Sequence, residues 1–278
     1  MRKVSLSLCL AIGFIVLGNA RGQAAIQDVT PSSMGTWAFY STDSSGAINT
    51  GSATGGMVTG PGSPPLGTGS ANFQTGAGAG DGSEQLRNSD WAGTRLDALT
   101  SLSYSTYATS FNGSQLPFVN LYLNFGTGIT RDDRLWFEPT YSSAGAGNGN
   151  ANPQADVAQN TWQNWNMLKG MWYSDNEAGP GSAAITLAAY LALHPDATII
   201  NDPGQGGLGG IRIASGFSSP GDNYNTNVDA FTIGTAAGTT TYNFEAGSAV
   251  PEPSSLIVWS LIGLSIGVAG WRRRRRIA

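Results

Sequence analysis

Apolar and polar residues alternate along several short segments of the chain, and segment 117–125 shows this most clearly. Its apolar side chains are Val119, Leu121, Leu123 and Phe125. Between them stand Asn120, Tyr122 and Asn124. Because successive side chains of a strand point to opposite faces, this order predicts a half-buried strand. Segment 134–141 follows closely enough to be its hairpin partner.

The same alternation recurs between turns that are rich in glycine and asparagine. The further predicted strands are 36–41, 70–75, 102–108, 161–167, 210–215, 228–234 and 239–244. Many short strands at such spacing are typical of a sandwich. The sequence therefore predicts an all-β fold, an antiparallel β-sandwich of jelly-roll type, formed by one domain over residues 25–249.

One segment has helical spacing instead. Ile185, Leu187, Ala188, Leu191 and Ala192 would lie on one face of a short helix. We expect Ser182 to cap this helix at its N-terminus and the helix to end before Pro195. Three glycine-rich tracts, at 51–69, 76–82 and 145–149, are interpreted as loops.

The N-terminus has the order of a secretory signal peptide. Arg2 and Lys3 precede an apolar run over residues 4–17, and small residues follow. Cleavage can occur after Ala20 or after Ala24; we favour Ala24, which gives a signal peptide of residues 1–24. The chain is thus predicted to pass the secretory translocon and to meet signal peptidase.

The C-terminus combines three features, each with its own physical role. The first is a proline-rich motif, Val250, Pro251, Glu252 and Pro253, which cannot continue a helix or a sheet ladder. The second is the apolar segment 254–271, whose helix would reach about 27 Å at about 1.5 Å per residue, close to the thickness of a hydrocarbon core. The third is a basic cluster after the interfacial Trp271, namely Arg272, Arg273, Arg274, Arg275 and Arg276.

These features predict a transmembrane helix with its arginines on the cytoplasmic side and the body outside. The tail from Val250 to Ala278 resembles the PEP-CTERM domain, also known as the ice-binding protein C-terminal domain. The resemblance implies processing by exosortase, a membrane-embedded cysteine transpeptidase of Gram-negative bacteria. It also implies an intermediate anchored in the inner membrane. A membrane anchor that is never processed is the alternative.

The charge of the body argues against nucleic acid as a partner. Residues 25–249 hold six basic and 17 acidic residues, so that 6 − 17 gives a net charge of −11. A clustered basic face is expected of a nucleic-acid-binding domain, and the body has too few cations for one. Cys9 is the only cysteine and would leave with the signal peptide, so the mature chain would have no disulfide or thiolate site.

Catalytic chemistry has few candidates in this sequence. The single histidine, His194, falls at the C-terminus of the predicted helix, where it would complement the helix dipole. The remaining enzymatic route is glycoside hydrolysis by carboxylates such as Asp132, Asp133 and Glu138. Against this route, Asp132 and Asp133 lie in a hairpin turn, where acidic residues are common, and Arg131 and Arg134 flank them as expected charge partners. The same turn, 124–133, could also bind Ca²⁺ through oxygen ligands. We predict no catalytic residues and no obligatory cofactor.

A group of aromatic residues is the most distinctive feature of the body, since flat rings can stack against sugar rings. The candidate sugar-binding residues are Trp136, Trp162, Trp165, Trp172 and Tyr173. The alternative is that these rings fill the core, and Trp162 and Trp165 would point to opposite faces of a strand.

The body also loosely resembles secreted concanavalin-like, laminin-G-like and carbohydrate-binding jelly-roll sandwiches. The main hypothesis is a non-enzymatic protein of the cell surface or extracellular matrix, structural or carbohydrate-binding, with exopolysaccharide as a partner. The alternative is an extracellular glycan-active enzyme. Ice binding is not favoured, because the body has no regular ladder of threonines.

Overall fold

The computed structural model describes residues 24–43, 45–75, 82–126, 130–146, 150, 153–177, 184–205, 207–216 and 223–247. The predicted signal peptide, apart from Ala24, and the whole tail from Val250 to Ala278 lie outside these residues. Within them the chain forms 15 strands in two sheets. The predicted β-sandwich is confirmed.

The first sheet has seven strands. They are β1 (Ala24–Val29), β3 (Thr54–Thr59), β4 (Gly69–Thr75), β6 (Leu99–Ser110), β9 (Gln163–Asn166), β14 (Tyr224–Thr235) and β15 (Gly238–Phe244). One edge of β14 pairs with β6, and the other pairs with β4 along its first half and with β15 along its second. Strand β1 pairs with β15 in parallel, an exception in a sheet that is otherwise antiparallel.

Asp229 lies on β14 at the point where pairing with β4 ends and pairing with β15 begins. Its Oδ2 accepts a hydrogen bond from the Leu66 amide at 2.9 Å, and its Oδ1 accepts one from the Phe244 amide at 3.1 Å. The side chain is fully buried, and burial raises its pKa. Asp229 thereby supplies acceptors to backbone groups at the fork in the sheet.

The second sheet has eight strands, all paired antiparallel. They are β2 (Trp37–Thr42), β5 (Ser83–Asn88), β7 (Phe118–Asn124), β8 (Asp133–Phe137), β10 (Met171–Ser174), β11 (Ile185–Thr186), β12 (Thr198–Ile199) and β13 (Ile211–Gly216). Its order is β11-β10-β8-β7-β13-β5-β2, and β12 pairs separately with β7. Two helices lie outside the sheets, α1 (Pro139–Ser142) and α2 (Leu187–Leu193).

A hydrophobic core fills the space between the sheets. From the eight-stranded sheet it takes, among others, Leu86, Val119, Leu121, Leu135, Phe137, Trp172, Ile211 and Ile213. From the seven-stranded sheet it takes Phe73, Leu102, Tyr104, Phe231 and Ile233, among others. These residues alternate along their strands with outward-facing ones, which is the basis of a sandwich.

Several predicted boundaries need correction. The predicted strand 134–141 ends at Phe137, because Pro139 occupies the first turn of α1, a position that proline favours. Helix α2 begins at Leu187 and its cap is Thr186, not Ser182: the Thr186 hydroxyl accepts a hydrogen bond from the Ala189 amide at 3.1 Å. The tract 51–69 is not wholly a loop, since it contains β3.

Strand β7 is confirmed but is not half-buried, because Asn120, Tyr122 and Asn124 are as inaccessible as the apolar face. Strands β1, β3, β5, β10, β11 and β12 were not predicted, and Ile185 of β11 was assigned to the helix. Across the part of the chain that the structure describes, no helix is both long and apolar enough to span a membrane. The predicted membrane segment 254–271 lies outside that part.

Candidate functional site

The outer face of the eight-stranded sheet, which points away from the core, carries a row of large polar and aromatic residues. Antiparallel pairing sets Tyr173 opposite Trp136, and Trp136 opposite Asn120. The row continues from Asn120 to Arg212 and from Arg212 to Arg87. Cross-strand neighbours of this kind lie about 5 Å apart at Cβ, so these side chains form a continuous surface across five strands.

A cavity of about 330 Å³ opens on this face. We call it the sheet-face cavity, and it is lined by Gln115, Phe118, Asn120, Arg134, Trp136, Glu138, Tyr141, Tyr173, Arg212 and Gly216. Its volume lies at the lower end of the range for small-molecule sites, about 300 to 1,000 Å³. Four aromatic rings line it together with two arginines and one carboxyl group. This combination fits a site for a polar ligand that has an apolar face.

The alternation of strand β8 explains how one short segment supplies both core and cavity. Leu135 and Phe137 point into the core, whereas Arg134 and Trp136 point to the outer face. Glu138 follows in extended conformation and continues the outward set. Every second residue along this segment therefore contributes to the cavity wall, and the residues between contribute to the core.

The aromatic wall is a packed cluster. The Trp136 and Tyr173 rings lie 5.8 Å apart at their centroids, tilted by 30°. Tyr141 meets Tyr173 edge to face at 5.0 Å. The Arg134 guanidinium lies 4.9 Å above the Trp136 ring, a cation–π contact that holds both side chains at the cavity.

Glu138 is the buried carboxyl group of the cavity. Its side chain is only 6% exposed, and its Oε1 has no hydrogen-bond partner among the described residues. Burial raises the pKa of Glu138 to about 8, although a hydrogen bond from the Leu116 backbone opposes the shift. At neutral pH the carboxyl group is therefore mainly protonated, and it can both donate and accept a hydrogen bond.

An arginine cluster continues from the cavity across the same sheet face. It consists of Arg87, Arg131, Arg134 and Arg212, four of the six basic residues of segment 25–249. The guanidinium groups of Arg87, Arg131 and Arg212 surround the Tyr122 ring at 5.0, 5.5 and 5.8 Å from its centroid. Asp202 lies 3.6 Å from Arg87 and 3.8 Å from Arg131.

Arg212 belongs to the cluster and, like Arg134, also lines the cavity. Its Nε donates a 2.6 Å hydrogen bond to Asn120 Oδ1. Burial lowers the pKa of Arg212 to about 10, with further lowering by the positive charges of Arg87 and Arg134. Tyr122 and Asp202 oppose this lowering, and Arg212 remains charged at neutral pH because its pKa still lies well above 7.

The structure separates the aromatic residues predicted to bind sugar. Trp136 and Tyr173 line the sheet-face cavity. Trp165 and Trp172 do not, since both are fully buried and fill the core. Trp165 points inward from β9 and donates a 2.8 Å hydrogen bond to Thr106, and Trp172 alternates with Tyr173 along β10. Their assignment to a sugar site was wrong, because strand alternation turns them inward.

Trp162 lies on the other side of the molecule from the cavity, just before β9 in the seven-stranded sheet. Its indole Nε1 donates a 2.9 Å hydrogen bond to the Pro61 carbonyl. Its ring packs against Tyr107 at 5.6 Å. Trp162 therefore cannot act together with Trp136 on one small ligand.

The carboxylates of the 132–133 turn are engaged within the protein. Asp133 is 1% exposed and accepts hydrogen bonds from the Ser174 and Tyr190 hydroxyls at 2.6 and 2.7 Å. It also accepts bonds from the Arg134 and Asp175 amides at 2.7 and 3.0 Å. Because these four bonds occupy both carboxylate oxygens, Asp133 could bind a Ca²⁺ ion only by giving them up.

Asp132 closes its own hairpin, since its Oδ2 accepts hydrogen bonds of 2.8 Å from the Asn124 amide group and from the Phe125 backbone. The expected charge partners are also different. Arg134 pairs with Asp175 at 2.8 Å, and Arg131 approaches Asp202. Within the described ranges, no cluster of three or more His, Cys, Asp or Glu residues could hold a metal ion.

His194 caps the C-terminus of α2, where the sequence placed it. Its Nε2 lies 2.8 Å from Glu177 Oε1, and its ring stacks on Phe125 at 4.1 Å. The histidine thus contributes to local packing between the helix and the loop after β7.

Several lining residues were not predicted from the sequence, notably Gln115, Phe118, Asn120, Tyr141 and Arg212. One signal for Arg212 was available. It is a single charge between two isoleucines in a strand, and such a residue must either face solvent or find partners on the outer face.

Comparison with known protein families identifies the tail. Residues 249–276 match the PEP-CTERM protein-sorting motif. This match contains the predicted sorting residues Val250 to Pro253 and the arginine cluster from Arg272, all outside the described residues. No curated protein matches the chain. The chain therefore carries a PEP-CTERM sorting signal at its C-terminal end, behind a β-sandwich body.

Proposed function

We propose that this chain is an exported protein of the cell surface or extracellular matrix whose β-sandwich binds a glycan in the sheet-face cavity. Its PEP-CTERM signal indicates export through exosortase-type sorting, with a membrane-anchored intermediate and exosortase as the processing partner. Signal peptidase and the translocon would act first, at the inner membrane of a Gram-negative-type bacterium. Exopolysaccharide would be the partner of the mature body.

One observation carries the proposal for the body: a single cavity brings the rings of Trp136 and Tyr173 together with Glu138, Arg134 and Arg212. Sugars present an apolar ring face and a rim of hydroxyl groups, so a site for them combines aromatic surface with hydrogen-bonding groups. The strands that hold these residues pair with one another, so the site is preorganised by the sheet.

We propose binding rather than hydrolysis. Glycoside hydrolysis by the usual routes needs two carboxyl groups about 5 to 9.5 Å apart on either side of the scissile bond. Glu138 is the only carboxyl group among the described residues that line the cavity. Asp133, the other candidate, points to the opposite face of the sheet.

The test is a binding titration of the full-length chain in detergent with the host's exopolysaccharide and a panel of defined oligosaccharides. Trp136→Ala should weaken binding about tenfold or more, because it removes the largest ring of the cavity. Trp162→Ala is the matched control and should leave the affinity unchanged. Loss of binding in both variants, or no binding by the unaltered chain, would overturn the proposal. Release of reducing ends from the oligosaccharides would instead support the alternative, a glycan-active enzyme.

A further inference from the structure

The positive charges of the body are concentrated on one face although the body as a whole is acidic. Four of its six basic residues lie on the outer face of the eight-stranded sheet, within a segment whose net charge is 6 − 17 = −11. The other two, Arg95 and Lys169, lie elsewhere, and Arg95 is paired with Asp97 and Asp196 at 2.7 and 2.9 Å. This distribution gives the sheet face a local charge opposite to that of its surroundings.

Among the described residues, the ionised acidic groups near the cluster lie outside the cavity lining. Asp175 pairs with Arg134 at 2.8 Å, and Asp202 lies beside Arg87 and Arg131 rather than in the cavity lining. Glu138 is mainly protonated at neutral pH because burial raises its pKa to about 8. Among the described lining residues, Arg134 and Arg212 are thus the charged groups that a ligand would meet.

Two observations indicate that the wall is built for a negative charge. Arg134 Nε is buried and has no hydrogen-bond partner among the described residues. The pKa of Arg212 is lowered by burial and by the neighbouring charges of Arg87 and Arg134. A bound anion would offset this repulsion and would accept the unused donor.

We propose that the sheet-face cavity takes an acidic sugar, whose carboxylate or sulfate group contacts Arg134 and Arg212 while its ring packs against Trp136 and Tyr173. Glu138, in its protonated form, hydrogen-bonds a sugar hydroxyl. This inference rests on the proposed glycan binding and adds the charge of the ligand to it. Arginine suits this role because its planar fork can bind both oxygens of a carboxylate.

The experiment compares three oligosaccharides of equal length with the full-length chain in detergent: an oligogalacturonate, a sulfated oligosaccharide and a neutral glucan. We expect an acidic ligand to bind about tenfold or more tightly than the glucan. We also expect its affinity to fall when salt is raised from about 0.05 M to about 0.5 M. The oligogalacturonate and the sulfated ligand distinguish the two sources of the negative charge.

Two variants and one control test whether the preference for an acidic ligand depends on the charges at the cavity. Arg134→Gln should abolish the preference for the acidic ligand, whereas Arg95→Gln removes an equal charge from another surface and should not. Asp175→Asn removes the carboxylate beside Arg134, so it should tighten acidic binding by a few-fold. This gain cannot come from a damaged fold. Melting curves of each variant show whether the fold is intact.

The outcomes separate the two proposals. Equal affinity for neutral and acidic ligands would overturn the acidic-sugar inference and leave glycan binding in place. An unchanged preference in both Arg134→Gln and Asp175→Asn would also overturn it. Binding of none of the three ligands would contradict both proposals.

Discussion

Asp133 and Glu138 lie at the beginning and just beyond the end of strand β8 but point to opposite faces of the sheet. Asp133 is directed to the core side, where Tyr190 donates a 2.7 Å hydrogen bond to it, and Glu138 lines the sheet-face cavity. Residues five apart on a strand have opposite orientation and are separated by about 16 Å along it. One carboxyl group is consequently structural, and the other belongs to the cavity wall.

The hydrogen bonds of Asp133 give a prediction about stability. Asp133→Asn should lower the free energy of unfolding by about 2 to 3 kcal/mol, because one oxygen that accepts two bonds is replaced by an NH₂ group. Asp132→Asn is the control and should cost less than about 1 kcal/mol, since the amide oxygen can still accept from Asn124 and Phe125. Urea denaturation measures both. Equal costs would contradict the structural role of Asp133.

Glu138 gives a prediction about pH. Its pKa is raised from 4.5 to about 8 in the folded chain. Between these values the unfolded chain releases the proton while the folded chain keeps it, so stability falls as pH rises from about 4.5 to about 8 and then levels off. Below pH 4.5 this contribution is fully present.

Glu138→Gln removes this titration. The stability of the unaltered chain relative to the variant should fall by more than about 1 kcal/mol between pH 5 and pH 8. Other buried carboxyls, such as Glu84 with a pKa near 7, titrate in both proteins and cancel in the difference. A constant difference across this range would show that Glu138 is ionised when folded.

Trp165, which is fully buried, and Trp162, which is only partly buried, should contribute differently to the free energy of unfolding. Trp165→Ala should lower the free energy of unfolding by about 3 to 5 kcal/mol, because it leaves a cavity in the core and the Thr106 hydroxyl without its donor. Trp162→Ala should cost less than about 2 kcal/mol, since its side chain is only partly buried. Thermal or chemical denaturation provides both values, and a larger cost at Trp162 would contradict the assignment of the core.

The sequence was sufficient to predict the sandwich because alternation of apolar residues survives in most of its strands. It failed for β5, whose sequence has Leu86 as its one aliphatic residue, yet every position of that strand is buried. Some of those polar residues are held by contacts with distant parts of the chain. Arg87, for instance, donates to Gln205 and to Tyr122. Such contacts leave no periodic signal in the strand itself.

The candidate site was predicted only in part for the same reason. Alternation identifies Trp136 and Glu138 as residues of one face, but it cannot say that Tyr173 and Arg212 are their cross-strand neighbours. That requires the strand order β10-β8-β7-β13, in which residues far apart in the chain meet. The tail could be recognised from sequence because its function depends on a short linear motif.

The most direct test of the account is the intact mass and cell fraction of the mature protein in its host, with and without the exosortase. We expect a chain that lacks both the signal peptide and the segment after the motif at Val250 to Pro253. We also expect that removal of the exosortase leaves an uncleaved form in the inner membrane. An intact C-terminus in both strains would contradict exosortase processing and would make the tail a permanent anchor.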